Sequence, residues 1–295
     1  MMVDIIRSMR PEQWTKNLVL FAGLIFAGGL SEPVLLGLAV TGFLVFCLLS
    51  GATYILNDIT DVAGDREHPV KRRRPIASGR LPVPVAAAVG AVAAAGGLAV
   101  AYRVNPLFGH VATSYLALNV LYSVALRHMV ILDVMAIAVG FVLRAVGSVE
   151  VLTPERPFIQ LSPWLLVCTF FLALFLGLAK RRHEVRVLGN DAQRHRSVLE
   201  HYPQPLIDAL MGVVTASTVV SYAIYTIWPG TVQKVGSARL VYTVPFVVYG
   251  VLRYLYLVYG RDKGGQPARS LVRDAPLAIN IALWLAAVVL VIYPR

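Results

Sequence analysis

Nine apolar stretches divide this 295-residue chain, and most approach the roughly 20 residues that a helix needs to cross a bilayer. Hydrophobic residues make up 57% of the chain, too many for a soluble domain. We therefore predict an all-α, polytopic membrane protein in which residues 1–295 form a single domain, a bundle of nine transmembrane helices. The first stretch is short, so it begins earlier, near Trp14, or lies at a tilt. The stretches are Leu18–Leu30, Val34–Leu56, Val83–Ala101, Leu107–Leu126, Val130–Val149, Trp164–Ala179, Leu210–Trp228, Leu240–Val258 and Ala275–Tyr293.

Basic residues are concentrated at alternate ends of these stretches. The N-terminus and the segments after the second, sixth and eighth stretches are rich in Lys and Arg, and Arg127 follows the fourth. The opposite segments carry only Arg103, Arg156, Lys234, Arg239 and the terminal Arg295. Because positive charge marks the cytoplasmic side, we place the N-terminus and the two long polar loops, about 57–82 and 180–208, in the cytoplasm. This orientation explains most of the net charge of +11, so no nucleic-acid partner is needed.

Three carboxylates follow the second apolar stretch, in the sequence Asn57-Asp58-Ile59-Thr60-Asp61-Val62-Ala63-Gly64-Asp65. On a helix, positions i, i+3 and i+7 project from one face, so Asp58, Asp61 and Asp65 would point into the same space. Crowded carboxylates repel unless a cation lies between them, and hard oxygen ligands suit Mg²⁺, which usually bridges protein to substrate phosphates. The alternative is a solvated, acidic helix end compensated by nearby Lys and Arg.

Basic segments lie on both sides of these acids. Lys16 and Asn17 precede the first apolar stretch and are candidates to line a phosphate pocket. The alternative is an interfacial anchor, with Trp14 at headgroup level and Arg10 and Lys16 in the anionic surface. After the acids, a compact basic loop is expected to neutralise phosphorylated substrates, although orientation in the membrane also enriches Lys and Arg here. Its candidates for contact with substrate are Arg66, Lys71, Arg72 and Arg74, together with the amide of Asn57 in the acidic motif.

The pattern Asn57-Asp58-x-x-Asp61-x-x-x-Asp65 resembles the first aspartate-rich motif of the UbiA-type intramembrane prenyltransferase superfamily. Within it, the chain looks most like the decaprenyl-phosphate phosphoribosyltransferases of actinobacterial cell-wall arabinan synthesis. The similar segments are Arg10 to Asn17, Asp65 to Arg72, Tyr122 to His128, and Lys180-Arg181. The resemblance implies a helical bundle in the bacterial inner membrane, a central cavity open to cytoplasm and lipid, and Mg²⁺ held by Asp58, Asp61 and Asp65.

The loop after the sixth apolar stretch departs from the superfamily pattern. Ordinary members carry a second aspartate-rich motif there, whereas this chain reads Lys180-Arg181-Arg182-His183-Glu184-Val185-Arg186, with Asp191 further on. A basic pocket suits direct pairing with a phosphate monoester better than metal-bridged binding of a diphosphate. Lys180 and Arg181 are therefore expected to bind a polyprenyl phosphate, and membrane orientation is the alternative explanation for their charge.

Polar groups also occur at membrane depth. Asp133 and Arg144 are eleven residues apart in the fifth stretch and fall on nearly the same helical face. Intramembrane charges are expensive unless they are paired or line a cavity, so they either pair with neighbouring helices or support the donor site. Tyr122 is a candidate to bind a phosphate or a sugar hydroxyl, although an interfacial tyrosine is the commoner case.

These observations favour Mg²⁺-dependent transfer of a phosphoribosyl group from phosphoribosyl pyrophosphate to a polyprenyl phosphate. Asp58, Asp61 and Lys180 are the expected catalytic residues. An ordinary prenyltransferase, which moves a prenyl group from its diphosphate to an aromatic or lipid acceptor, is the alternative within the superfamily. A polytopic transporter or scaffold whose acids bind a coupling ion is the non-enzymatic alternative. The membrane is the other expected partner, and a homo-oligomer is a possible assembly.

Overall fold

The fold is described by a computed structural model that covers residues 1–159, 162–188, 197–260 and 273–292. These residues form helices joined by turns and loops, with no strand among them, which confirms the all-α prediction. The α-helices are α1 (Met2–Ser8), α2 (Ala22–Phe26), α3 (Pro33–Thr60), α4 (Val62–Glu67), α5 (Val83–Val104), α6 (Pro106–Val124), α7 (Leu132–Glu150), α8 (Pro163–Leu188), α9 (Gln204–Ile227), α10 (Pro229–Val235), α11 (Val244–Gly260) and α12 (Ala275–Ile292). Five 3₁₀ helices accompany them in these ranges: Pro11–Phe21, Lys71–Arg73, Leu126–His128, Ser197–His201 and Ala238–Thr243.

Prolines define where several long helices begin. Pro33 and Pro106 are the first residues of α3 and α6, and Pro163 is the first residue of α8. Proline has no N–H to donate and its φ is already helical, so it suits a position where the backbone donor would be unsatisfied anyway. The local sequence therefore encodes the starts of these three helices, and each proline directly precedes a predicted apolar stretch.

Eight helices in the described ranges are long and apolar enough to cross a membrane, and the chain is a multi-pass membrane protein. They correspond to the second through ninth predicted stretches. The first stretch differs, because Pro11–Phe21 is an 11-residue 3₁₀ helix continued by the five residues of α2. The nine-helix count therefore stays a prediction, as does the organisation of residues 1–295 as one domain.

The chain divides into two compact units. The first comprises Met1–Val124 and Leu143–Ile159. Its core lies where α3 packs against α5 and α6, around Phe46, Leu49 and Phe108. Small residues allow the close approach of α5, because a Cβ at Gly97 would lie 3.1 Å from Leu49.

The second unit comprises Ala125–Val142 and Gln160–Arg295. Within it α8 packs along α9, and α11 packs against both α9 and α12. Phe175 and Tyr254 meet in an edge-on ring contact inside this core, with 5.5 Å between ring centroids. Helix α7 is shared, since its residues up to Val142 belong to this unit and the remainder to the first.

A close backbone contact fixes the N-terminal segment within the first unit. The N–H of Gly23 donates to Ser148 Oγ at 3.1 Å, and a Cβ at Gly23 would lie 2.0 Å from the Ser148 carbonyl oxygen. Real Cβ atoms do not approach backbone so closely, so only glycine fits here. The segment that contains Lys16 and Asn17 is thereby held against α7.

Candidate active site

The acidic motif lies at the end of α3, where the helix is interrupted but the chain keeps turning. Helix α3 ends at Thr60, Asp61 has φ −95° and ψ 6°, and α4 begins at Val62. The N–H of Asp61 donates to the Asn57 carbonyl at 3.0 Å, and the N–H of Asp65 donates to the Asp61 carbonyl at 2.8 Å. The helical path is thus nearly continuous, so Asp58 and Asp65 are presented to the same cation.

That cation is Arg74, which follows the 3₁₀ helix Lys71–Arg73. Its Nη1 donates to Asp58 Oδ1 at 3.1 Å and to Asp65 Oδ2 at 2.6 Å. Each carboxylate is only 3% exposed, whereas the Arg74 side chain is 29% exposed. A single guanidinium therefore holds the first and last acids of the motif together. Arg74 is also one of the residues that the sequence predicts to contact the substrate.

Arg10 is a second cation that binds Asp58. From the sequence alone, Arg10 belongs to the alternative of an interfacial anchor. Its Nη2 donates to Asp58 Oδ1 at 2.5 Å, and its guanidinium lies over the Tyr54 ring, 4.9 Å from the centroid. Arg10 has φ 52° and ψ 66°, a left-handed conformation that turns the chain between α1 and the 3₁₀ helix Pro11–Phe21. The signal for this role was Asp58 itself, since a carboxylate buried at the end of an apolar helix requires a partner.

The remaining cations of the basic loop differ in their contacts. Lys71 Nζ lies 3.9 Å from Asp65 Oδ1, so it belongs to the acidic cluster. Arg66 Nε instead donates to the Ala77 carbonyl at 3.3 Å, which closes the loop between α4 and α5. Arg72 is exposed on the 3₁₀ helix, outside the contacts with the acids described above. The contacts thus favour Arg74, Lys71 and Arg10 for the site.

Two predicted residues from distant parts of the sequence meet beneath this region. Arg144 Nε donates to Asn17 Oδ1 at 2.8 Å, and its Nη2 donates to Tyr115 OH at 2.6 Å. Asn17 Nδ2 lies 3.3 Å from both Cys47 Sγ and Ser50 Oγ. The amide and the guanidinium are thus parts of one buried polar network inside the first unit. Asn17 and Arg144 connect the N-terminal segment to α3, α6 and α7.

Lys16 and Tyr122 are half-buried residues of the same unit. Lys16 directly precedes Asn17 on the 3₁₀ helix, and Tyr122 lies in the last turn of α6. Their assignment to substrate binding stays a prediction.

In the second unit, Arg181 is buried in ion pairs. Its Nε donates to Asp133 Oδ2 at 2.7 Å and its Nη1 to Glu184 Oε2 at 2.5 Å. Tyr202 OH donates to the other oxygen of Asp133 at 2.6 Å and accepts from the N–H of Ile131 at 2.7 Å. Burial, followed by this bond to Asp133, raises the pKa of Tyr202, so its phenol stays a donor at physiological pH.

The side chain of Lys180 differs from that of its neighbour, since it is 50% exposed and lies 3.6 Å from Glu184 Oε1. Arg181 is only 2% exposed. The two residues were predicted as a pair that binds substrate phosphate, but only the exposed Lys180 presents its charge to solvent. Asp191, the acid that follows Glu184 in this segment of the sequence, lies outside the described residues.

The residues of the acidic motif fit a divalent cation that binds together with an anionic substrate. Asp58 and Asp65 supply buried carboxylates, and Asn57 Oδ1 is a buried oxygen that accepts no hydrogen bond within the described part of the chain. Over the same residues, no three His, Cys, Asp or Glu side chains are grouped closely enough to hold a metal ion. Mg²⁺ is commonly bound through one or two carboxylates plus substrate phosphates, and two carboxylates are what the arrangement offers.

Comparisons with known proteins agree with this fold. Residues 17–275 match the model of the UbiA prenyltransferase family. The chain is 31% identical to the decaprenyl-phosphate phosphoribosyltransferase of Corynebacterium glutamicum, over 98% of this chain and 86% of that protein. It is also 31% identical to the protein of the same name from Mycobacterium tuberculosis, over 98% of this chain and 94% of that protein.

Solved structures show the same fold. A UbiA homologue from Archaeoglobus fulgidus bound to GPP and Mg²⁺ has a TM-score of 0.73 at 20% identity, covering 98% of this chain and 99% of that chain. Another structure of a homologue from that organism is bound to Cd²⁺. Fold and relatives together define a multi-pass membrane transferase. The chain belongs to the UbiA prenyltransferase family.

Proposed function

We propose that this enzyme transfers the phosphoribosyl group of phosphoribosyl pyrophosphate to a polyprenyl phosphate, decaprenyl phosphate being the acceptor that its relatives' name indicates. The observation that carries the proposal is the similarity over nearly the whole chain to proteins named decaprenyl-phosphate phosphoribosyltransferase. The product would be a polyprenyl-phosphoryl phosphoribose, a precursor of cell-wall arabinan, and pyrophosphate would leave.

The contacts of Glu184 support the same substrates. Its two oxygens form ion pairs with Arg181 and Lys180, which are cations of the same helix. An ordinary prenyltransferase of the superfamily carries an aspartate-rich motif in the corresponding loop. The basic end of α8 favours a phosphate monoester bound directly by Lys180, whose side chain is half exposed.

In the proposed reaction the bond between the anomeric carbon and the pyrophosphate oxygen breaks, and a lipid phosphate oxygen bonds to that carbon. A phosphate monoester is anionic near neutral pH, so no general base is required. Mg²⁺, held by Asp58 and Asp65 with Asp61 and Asn57 as further oxygen donors, would stabilise the charge of the leaving pyrophosphate. Arg74, Lys71 and Arg10 orient the donor diphosphate, and Lys180 orients the lipid phosphate despite the repulsion between the two anions.

We propose that the enzyme lies in the bacterial inner membrane, with its N-terminus and active site facing the cytoplasm. We also propose that the first apolar stretch, Leu18–Leu30, makes a ninth crossing that begins near Trp14 or lies at a tilt.

The test is transfer of label by purified protein. With Mg²⁺, phosphoribosyl pyrophosphate labelled in its 5-phosphate and decaprenyl phosphate should yield a labelled lipid, and chelation of the metal should stop its formation. Label transfer from a prenyl diphosphate to an aromatic acid, with none from phosphoribosyl pyrophosphate, would instead assign the ordinary prenyltransferase reaction, which the family's name also allows.

A further inference from the structure

In each of the two carboxylates that would hold a metal, one oxygen is hydrogen-bonded to arginine. Asp58 Oδ1 accepts from both Arg10 and Arg74, and Asp65 Oδ2 accepts from Arg74. A carboxylate oxygen can rarely serve a guanidinium and a divalent cation at full strength, because both draw on the same negative charge. Metal binding at these acids is therefore coupled to the position of the arginines.

The two arginines differ in how they are held. Arg10 contacts one acid, lies on the Tyr54 ring and sits at a backbone turn that fixes its direction. Arg74 reaches both acids through the same nitrogen, Nη1, from a loop after a three-residue helix. Its side chain is 29% exposed, so it can turn outward without crossing the protein interior. Arg74 is the cation suited to exchange.

We infer that Arg74 exchanges its partners during donor binding, from the carboxylates of Asp58 and Asp65 to the diphosphate of the donor, and so makes the binding of metal and diphosphate cooperative. The inference rests on the metal-diphosphate part of the proposed function. A diphosphate offers a guanidinium strong, charge-assisted hydrogen bonds, which replace those lost from the acids. The freed carboxylates take the metal, and by linkage each ligand raises the affinity for the other by the same factor.

Metal alone should therefore bind weakly, because it competes with Arg74. In Arg74→Gln this competitor is gone, and the affinity for Mn²⁺ alone should rise by about tenfold, within the range typical of coupling between sites. Titration of detergent-solubilised protein with Mn²⁺, followed by electron paramagnetic resonance, measures it. Arg73→Gln removes the same charge one residue away on an exposed side chain, and its Mn²⁺ affinity should stay within about twofold of the original.

Lys71→Gln distinguishes the exchange of partners by Arg74 from the effect of simply removing one positive charge near the acids. Lys71 Nζ lies 3.9 Å from Asp65 but does not bridge the two acids, so its loss should raise Mn²⁺ affinity clearly less than the loss of Arg74. Equal gains in the two variants would overturn the exchange. An unchanged or weaker Mn²⁺ affinity in Arg74→Gln would overturn it too, since Arg74 would then only hold the acids in place.

Cooperativity is tested with inorganic pyrophosphate. In the original protein pyrophosphate should raise Mn²⁺ affinity, and Arg74→Gln should lose most of this gain. The complex of Mn²⁺ and pyrophosphate in solution is the same for every variant and cancels in their comparison. An equal gain in both proteins would refute the exchange. If Arg74→Gln does not fold, Arg74→Met is used, because it removes the same charge with an unbranched side chain, and its Mn²⁺ affinity must rise; no rise refutes the inference.

These measurements contain no ribose and no lipid. A protein that transfers prenyl groups would show the same coupling, since its donor is also a diphosphate. Failure of phosphoribosyl transfer alongside intact coupling would thus reject the proposed substrates and keep the exchange. Intact phosphoribosyl transfer without coupling between Mn²⁺ and pyrophosphate would reject the exchange and keep the proposed substrates.

Discussion

The polar ends of α3 and α8 both carry carboxylates bound by arginines, yet the pairs differ in their exposure to solvent. At the end of α3 the acids are buried and the cations are 26% to 29% exposed. In the pair that Arg181 of α8 makes with Asp133 of α7 both partners are buried, since Arg181 is 2% exposed and Asp133 is inaccessible. A buried pair loses much free energy when one partner is removed, whereas a partly exposed cation can find water or phosphate instead. The first arrangement is suited to ligand exchange and the second to fixing helices.

The largest expected effect concerns the buried pair. Asp133→Ala leaves Arg181 buried with one carboxylate fewer and should lower the free energy of unfolding by about 3–5 kcal/mol. Glu32→Ala is the matched control, because it breaks a surface pair with Arg156 that should contribute at most about 1 kcal/mol. Thermal unfolding of the two variants in detergent measures the difference. Similar shifts would show that burial does not distinguish these pairs.

The next effect concerns activity rather than stability. Asp58→Asn and Asp65→Asn should each lower kcat/KM by roughly 100-fold or more, since losing even the outer partners of a metal ligand costs 10–100-fold. The control is Glu67→Gln, which removes one negative charge from an exposed side chain of α4 and should keep its activity. Retained activity in both Asp variants would exclude the acidic motif from the reaction.

A smaller effect is expected at Tyr202. Tyr202→Phe removes a donor to Asp133 and an acceptor for the N–H of Ile131, and should cost about 1–3 kcal/mol of unfolding free energy. Tyr242→Phe makes the same chemical change on a side chain that is 73% exposed, and its stability should be unchanged. Chemical denaturation compares them. A Tyr202→Phe protein as stable as the control would show that Arg181 alone satisfies Asp133.

The smallest effect separates Lys180 from its neighbour. Lys180→Gln should raise the KM for the lipid phosphate by about tenfold, about 1.4 kcal/mol, with an unchanged melting temperature. Arg186→Gln is the control for loss of one charge on the same helix and should change KM much less. Initial rates at varied lipid concentration test this. An unchanged KM in Lys180→Gln would remove Lys180 from the acceptor site.

The sequence predicted much of the fold because a membrane helix can be recognised from one continuous apolar segment. The length and apolarity of such segments predicted α3, α5 to α9, α11 and α12, with boundaries within a few residues for most of them. The helical spacing of the acidic motif also predicted that Asp58, Asp61 and Asp65 share a space, and Arg74 joins the first and the last of them. The 3₁₀ conformation of Pro11–Phe21 was not foreseen, because its residues up to Asn17 are mostly polar and precede the predicted apolar stretch.

What the sequence could not provide was the pairing of charges. Arg10, Arg74 and Arg181 lie in similarly basic segments, and orientation in the membrane accounts for all three. Their roles depend on burial and on contacts outside their own helices; Arg10 and Asp58 are 48 positions apart in the sequence, as are Arg181 and Asp133. Spacing within one helix carries no information about such contacts. Asp133 and Arg144 illustrate this, because their shared face was foreseen but their partners were not.

The contact between Gly23 and Ser148 has a consequence for enzyme engineering. A methyl group at position 23 would have to push the N-terminal segment away from α7. Asn17 lies six residues earlier on that segment and would be drawn off Arg144. A variant library that leaves every charged residue untouched but randomises this glycine should thus lose active clones at position 23, and substrate-specificity screens would do well to keep it constant.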